Sequence, residues 1–319
     1  AAGNWDTQDG SGDQSIDQIV PDLPWNSSVF AFSAIDVTAP FIPMSAPLSQ
    51  TSTKIYFSED VTNGSATNVS NYSFSPAVSI DSVKYSSITN TAIVYHQAFT
   101  IGKAYTITVS NISDAANNTM SLSYISNAFY YNETAPTLVI SEIMYNAPSS
   151  ISDELEFIEI YNYGKNSIEL GGLELSDEGG FKFAIPETSL AAGAILLFAT
   201  DKDSADKYYG VPFVDLPPAF SNVFGNGGEL LQIKNTAGTV ICDVEYDDAS
   251  PWPTSPDGSG PSLELLDPTI NINDGLNWIA ATNLATTIGG IQVLATPGSF
   301  SAVIIPAINF EESYARINE

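Results

Sequence analysis

LVISEIMYNAPSSISDELEFIEIYN, residues 138–162, holds two runs of aliphatic, β-branched and aromatic side chains separated by a loop of Pro, Ser and acidic residues. Such side chains fit the pleated surface of a sheet, so the two runs predict paired strands that open a β domain. Working outward, Val240, Cys242, Val244 and Tyr246 alternate with Ile241, Asp243 and Glu245, while Ile168 and Leu170 flank Glu169 and Leu173 and Leu175 repeat the pattern. Period two marks strands with one buried face, and these residues should line one core. A single short helix is expected over 203–209, with Asp203 as N-cap and Gly210 as the stop.

Before this domain the sequence predicts strands at 53–58, 70–75, 79–86, 91–96, 103–111 and 121–130. Tyr105, Ile107 and Val109 alternate there with Thr106, Thr108 and Ser110. Short strands at this spacing, punctuated by Gly and Asn, make a sandwich. Thr-Ala-Pro occurs at 38–40 and again at 134–136. Proline restricts itself and its predecessor to extended backbone, which suits a short stiff joint between β modules. The expected architecture is all-β: two immunoglobulin-like β-sandwich domains in tandem, over 36–136 and 137–298, joined by a short Pro-containing linker. Residues 1–35 read as an N-terminal extension or the end of a preceding module, with a candidate strand at 29–32. Residues 299–319 read as a C-terminal tail or the start of a following module.

The later domain resembles a lamin tail domain, an immunoglobulin-like sandwich of nuclear lamins and of many secreted bacterial proteins. The likeness is carried by Ile140 to Asn146 and Glu156 to Asn162, then by GGLELSD (171–177), GAILLFA (193–199), GGELL (227–231), the run 240–247, PWP (251–253) and PSLELLD (261–267). The earlier domain resembles the bacterial immunoglobulin-like domains of secreted and surface-layer proteins through IYFSED (55–60), NVSNYSF (68–74), YTITVSNI (105–112) and DAAN (114–117). Both resemblances imply recognition, packing or spacing rather than catalysis. The aromatic-rich stretch 211–227 departs from the compact lamin-type pattern.

With 319 residues the chain is long enough for two cores. Its 37 acidic against 9 basic side chains give a net charge of −28, and Arg316 is the sole arginine. No basic groove for a nucleic-acid backbone can be assembled from that, and an anionic membrane would repel it. No apolar run reaches the ~18 residues of a membrane span. Abundant Ser, Thr, Asn and Gly with few charges suits an extracellular or cell-surface β protein, and the Ala1-Ala2-Gly3 start is that expected of a mature or excised part of a longer polypeptide. The lone Cys242 is expected to be a small buried side chain.

Chemistry is sparse. His96 is the only histidine, so Ser-His-Asp triads and zinc sites of several His and Cys cannot form; a half-exposed strand position is expected for it. Acidic clusters remain. Those at 153–159, 177–178, 201–206 and 243–248 read as solvated strand faces and loops, and glycoside hydrolysis by a carboxylate pair stays open. Hard cations want clustered carboxylates, so Ca²⁺ is the one cofactor the chain invites, at Asp36, Glu59, Asp60, Asp114 and Glu133; none is required for folding. Trp252 and Trp278 are expected to pack. Tyr208, Tyr209, Phe213, Phe220 and Phe224 are the recognition candidates. Seven Asn-x-Ser/Thr sequons lie before residue 135, at Asn26, Asn63, Asn68, Asn71, Asn111, Asn117 and Asn132, and Ser82 and Ser204 sit in triplets resembling a bacterial O-glycosylation motif, Asp-Ser/Thr-aliphatic.

The function expected is a non-catalytic adhesion or scaffolding part of a larger secreted or surface bacterial protein. Its partners would be a protein or glycan at the cell surface and the neighbouring domains of the same polypeptide. Two alternatives stay open: an accessory module of a secreted nuclease or phosphatase, and a carbohydrate-binding module.

Overall fold

The structure is a computed structural model that describes residues 36–148, 153–217 and 224–301. The expected strand at 29–32 and Phe220 lie outside them. In the first unit β1 (Met44–Ser49), β2 (Ser52–Tyr56), a one-turn helix α1 (Asn63–Ala66), β3 (Tyr72–Ser75), β4 (Ile80–Ser86), β5 (Thr91–His96), β6 (Thr106–Val109) and β7 (Tyr124–Ile125) follow in order. They form a sheet β1-β2-β5-β4 facing a sheet β3-β6-β7. Ile55, Val94, Ile107, Val109 and Ile112 are wholly buried between them.

Three expectations in this unit are corrected. β1 was not foreseen because Pro47 interrupts it; an edge strand tolerates a residue without an N–H, and the register shifts there. The expected strand at 121–130 contracts to β7, since the Ser126 hydroxyl takes the Ile107 N–H at 3.0 Å in place of a ladder carbonyl. His96 is buried, not half-exposed: its Nε2 lies 3.0 Å from Thr53 Oγ1 and its Nδ1 2.8 Å from the Gln97 carbonyl, with the Phe99 ring at 4.2 Å. Burial holds its pKa below the usual value.

The second unit opens with β8 (Leu138–Met144) and β9 (Phe157–Asn162), the two halves of the stretch quoted first. After them come β10 (Ile168–Glu169), β11 (Glu174–Asp177), β12 (Lys182–Ala184), β13 (Ser189–Leu190), β14 (Ile195–Ala199), α2 (Lys202–Tyr209) and β15 (Val214–Asp215). β16 (Glu229–Lys234), β17 (Val240–Tyr246), β18 (Leu263–Leu265), β19 (Trp278–Ala280), β20 (Leu284–Ile288) and β21 (Ile291–Leu294) complete it. A six-stranded sheet β15-β14-β9-β8-β18-β19 packs on a four-stranded sheet β12-β11-β16-β17. Ile140, Ile143, Ile158, Leu175, Leu231, Ile233 and Val244 fill the space between. The Ile140 N–H reaches Cys242 Sγ at 3.4 Å, and burial pushes that thiol up to about 12. Trp252 and Trp278 are buried with ring centroids 5.7 Å apart, as packing residues.

All seven residues of β8 are buried, so this strand has no solvated face. Its far side is covered by α2 and by the β20–β21 hairpin, through a second apolar layer of Met144, Phe157, Leu197, Ala205, Phe213 and Val293. The helix begins one residue early: Asp201, not Asp203, is the N-cap, its carboxylate accepting the Ser204 N–H at 2.9 Å. Gly210 ends it at φ 73°, as expected.

The units meet at a clasp built on Asn132, which is wholly buried. Asn132 and Thr236 exchange two bonds: Asn132 N–H to Thr236 Oγ1 and Thr236 N–H to the Asn132 carbonyl, each 2.9 Å. The Asn132 side-chain amide donates to the carbonyls of Glu169 (2.8 Å) and Gly171 (3.0 Å), and its Oδ1 accepts from the Thr134 hydroxyl at 2.6 Å. Alongside, the Ala104 N–H donates to Glu187 Oε1 at 2.7 Å. Backbones touch at Gly102 and Gly171, where a Cβ on Gly171 would stand 1.8 Å from the Gly102 carbonyl oxygen. The joint is thus held by side-chain amide bonds and a glycine contact more than by Pro136. Asn132→Ala would take the side-chain donor from the Glu169 and Gly171 carbonyls, the second of these bonds buried, and is expected to cost about 1–3 kcal/mol. Gly171→Ala, through overpacking, should cost a similar ~1–3 kcal/mol. Calorimetric unfolding of both variants checks this, and Pro136→Ala should stay within about 0.5 kcal/mol of the native chain.

Candidate functional site

The sheet places three glutamates in a row. Glu142 in β8 pairs with Glu159 in β9 on one side and with Glu264 in β18 on the other. A register shift between Ile140 and Glu142 makes Ser141 the extra residue of a bulge, which brings Glu142 opposite Glu159. Glu142 and Glu159 are 2% and 1% exposed. With Ser141, Asn283, Thr296, Ser299, Phe300 and Ser301 the row lines a cavity of about 90 Å³.

Hydrogen bonds hold each carboxyl. Glu142 Oε1 accepts from the Ser262 hydroxyl at 2.5 Å and the Thr296 N–H at 2.9 Å. Glu159 accepts from the Ser141 hydroxyl at 2.7 Å and the Gly298 N–H at 2.8 Å. The Thr296 hydroxyl lies 2.7 Å from Glu264 Oε1 and 3.4 Å from Glu142 Oε2. Burial first, and then repulsion from Glu159, raises the Glu142 carboxyl well above the usual carboxylate range; burial also raises Glu159. No cation is among the causes acting on either, so hydrogen-bond donors rather than an ion pair hold these two carboxyls. The expectation of solvated faces over 153–159 is therefore corrected for Glu156 and Glu159, both buried. A signal was available. Each of the three glutamates stands directly between aliphatic or small residues of a strand, as Ser141-Glu-Ile143, Ile158-Glu-Ile160 and Leu263-Glu-Leu265.

Among the five calcium candidates the structure brings together Asp36, Glu59 and Asp114, whose carboxylate oxygens all lie within 4.8 Å of one another. Asp114 is buried and accepts from the Asn118 backbone N–H and side-chain amide, both at 2.8 Å; burial raises it, and these bonds more than offset that, leaving it below its ordinary value. Glu59 is raised, by burial first and then by the charges of Asp36 and Asp114. Three hard oxygen donors converging from separate loops fit a Ca²⁺ ion. Asp60 and Glu133 stand apart from the group: Asp60 takes the Tyr85 hydroxyl and Glu133 the Tyr131 hydroxyl.

The recognition candidates are mostly packed. Phe213 and Phe224 are buried, and Tyr209 donates its hydroxyl to the Leu155 carbonyl while its ring meets Phe157 at 5.1 Å. Apolar burial accounts for Phe213 and Phe224, and packing against Phe157 and Phe213 for the half-buried Tyr209, which corrects their assignment to a recognition surface. Tyr208 is half-buried beneath the Lys207 ammonium, 4.4 Å from its ring centre. Of the modification candidates, Ser82 is exposed in β4, and the Ser204 hydroxyl donates to Glu154 at 3.2 Å. The sequon asparagines Asn71 and Asn132 are buried and occupied as hydrogen-bond donors, so they do not carry glycans in this fold.

Residues 131–248 match the family model described as Lamin Tail Domain. No curated protein matches the chain. Among solved structures, the N-terminal part of the bacterial S-layer protein SbsC aligns at 16% identity and a TM-score of 0.28, covering 66% of this chain and 44% of that one. Domains 1–6 of the surface layer protein SbsC align at 15% identity and a TM-score of 0.28, covering 71% and 42%. Native alpha-2-macroglobulin from Escherichia coli, domains MG0-NIE-MG1, aligns at 11% identity and a TM-score of 0.24, covering 81% and 95%. The chain spans less than half the length of these SbsC structures. Superpositions of this quality carry no conclusion about function.

A further acidic group lies on the four-stranded sheet. Glu229, beside the Tyr246 hydroxyl at 3.2 Å, is raised to about 7, by burial first and with Asp177 adding. A carboxyl raised on folding contributes stability that is present below its unfolded value and lost as pH rises through about 7. Glu229→Gln should therefore raise the Tm at pH 8 relative to the native chain by more than it does at pH 5, measured by thermal melts in matched buffers.

Proposed function

We propose that this chain is a stiff two-module spacer of a secreted or cell-surface assembly, which sets the angle between whatever it joins and has no catalytic chemistry of its own. The clasp at Asn132 carries this reading. A linker meant only to tether would not need a wholly buried amide and a glycine contact in which a methyl group cannot fit. The lamin-tail match over 131–248 supports a packing or recognition role, and the acidic, Ser/Thr/Asn-rich composition favours the cell exterior. Its partners would be neighbouring modules of the same polypeptide and a protein or glycan at the surface. Adhesion is the finer reading. An accessory role beside a secreted hydrolase differs from it in what the neighbouring modules are. The carbohydrate reading is the weakest, because the aromatics that favoured it are largely packed away.

Small-angle scattering in solution is expected to fit one elongated shape with a narrow spread of intermodule distances. Asn132→Ala with Thr236→Ala should broaden that spread, and Pro136→Gly alone should leave it unchanged. A broad spread in the native chain would end the spacer proposal.

A second reading rests on the convergence of Asp36, Glu59 and Asp114: a structural Ca²⁺ bound at that end of the first unit. An ion that binds only the folded form stabilises it by about 2.7 kcal/mol at a hundredfold excess over its Kd. Melting temperature should rise in millimolar Ca²⁺ relative to chelator at equal ionic strength. Glu59→Gln should abolish the rise and Glu133→Gln should not. Superimposable native curves would remove the site.

A further inference from the structure

After β21 the chain crosses the glutamate row as a strap. Thr296 lies on Glu264 and Glu142, Gly298 on Glu159, and the Phe300 ring stacks on Tyr161 with centroids 4.7 Å apart. The strap thus passes over β18, β8 and β9 in turn, and at each strand a glutamate is its anchor. Between Leu284 and Ser301 no residue can titrate. Any response of this contact to pH therefore comes from the sheet beneath it.

The geometry limits how the row can be charged. A hydroxyl has one proton, so Thr296 Oγ1 can donate to Glu264 or to Glu142, not to both. With all three carboxyls ionised, Glu142 Oε2 loses its hydrogen bond to Thr296 while facing a negative charge on each adjoining strand. With one proton on Glu142 Oε2 the chain closes: that proton goes to Thr296 Oγ1 at 3.4 Å, and the Thr296 proton to Glu264 at 2.7 Å. From α2, Tyr209 is the titratable group that feels the charge of Glu142, and Glu156 acts on it too; Tyr161 is the titratable group of β9 under the strap's far end.

We infer that the Glu142–Thr296–Glu264 relay, with Glu159, is a proton-controlled latch that holds the 296–300 strap on the six-stranded sheet and lets it lift when the row loses its shared proton. The strap is closed at low pH and loosens as pH rises. The sign follows from the raised carboxyls: they bind a proton more tightly in the closed form, so closure is favoured below the ordinary Glu range and weakens as pH climbs through their native values. β20, β21 and Ala295 stay in place. The Leu294 N–H donates to the Gly260 carbonyl and the Ser262 N–H to the Leu294 carbonyl, both at 2.9 Å, and neither depends on a carboxyl.

Amide hydrogen exchange on the intact chain, corrected for the intrinsic pH dependence of exchange, tests this at the Thr296 and Gly298 N–H groups. Their protection should fall about tenfold or more between pH 5 and pH 9, one pKa unit corresponding to a factor of ten. The Leu294 and Ala280 amides should hold constant. Glu142→Gln keeps the acceptor and supplies a permanent donor toward Thr296, so protection should stay high across the range. If that variant does not fold, Thr296→Val replaces it, and Gly298 protection should then start low and vary little. Flat protection in the native chain, an equal fall at Leu294, or an unchanged midpoint in either variant would overturn the latch.

Discussion

Because β8 has no face left for water, the second unit has to supply apolar layers on both of its sides, and most of its architecture follows from that requirement. One layer is the sandwich core shared with β11, β16 and β17. The other needs α2 and the β20–β21 hairpin, which do nothing for the sandwich itself but cover Met144, Phe157 and Leu197. A fully covered strand also cannot leave a carboxylate in solvent. Glu142 must therefore be met by hydroxyls and backbone N–H groups, which Ser262 beside β18 and Thr296 in the hairpin's continuation provide.

Charge economy is the common thread between this row and the rest of the surface. With nine basic side chains in the whole chain, ion pairs are scarce; among the described residues they join Lys182 to Glu174 and Lys202 to Asp206. Carboxylates and side-chain amides here act mainly as acceptors. Asp201, Asp274 and Asn68 cap helical turns, and Asp177, Asp267 and Asn235 close tight turns through nearby backbone N–H groups. That mode works as well at high salt as at low, because it relies on short bonds to fixed dipoles instead of long-range attraction.

Much of the fold was legible in residue order. Period two in Val240 to Tyr246 places Cys242, Val244 and Tyr246 in the core, although Val240 at the start of the strand is exposed, and β5 occupies the expected residues 91–96. What escaped notice did so for identifiable reasons. β1 carries a proline, β7 depends on a serine side chain, and neither leaves a clear alternation. The glutamate row was passed over because acidic residues in strands are ordinarily exposed; the flanking aliphatic and small residues hint at burial, but the donors that meet the carboxyls come in part from the chain after a hairpin more than a hundred residues downstream of Glu142. The same holds for Asn132. As a sequon it invites one chemistry, and only the approach of Thr236 and Gly171 shows that its amide is already engaged.

Cys242 turns the sandwich into a clock. It is the sole thiol in the chain, it lies against the Ile140 N–H between the two sheets, and burial keeps it protonated to about 12. An alkylating reagent can therefore modify it only during the intervals when β17 and β8 part. The rate of that single covalent event counts separations of the two sheets, and it is blind to the first unit, to the clasp at Asn132 and to the strap over the glutamates. The lifetime of the closed sandwich can in this way be read from mass alone, without a probe added to the protein.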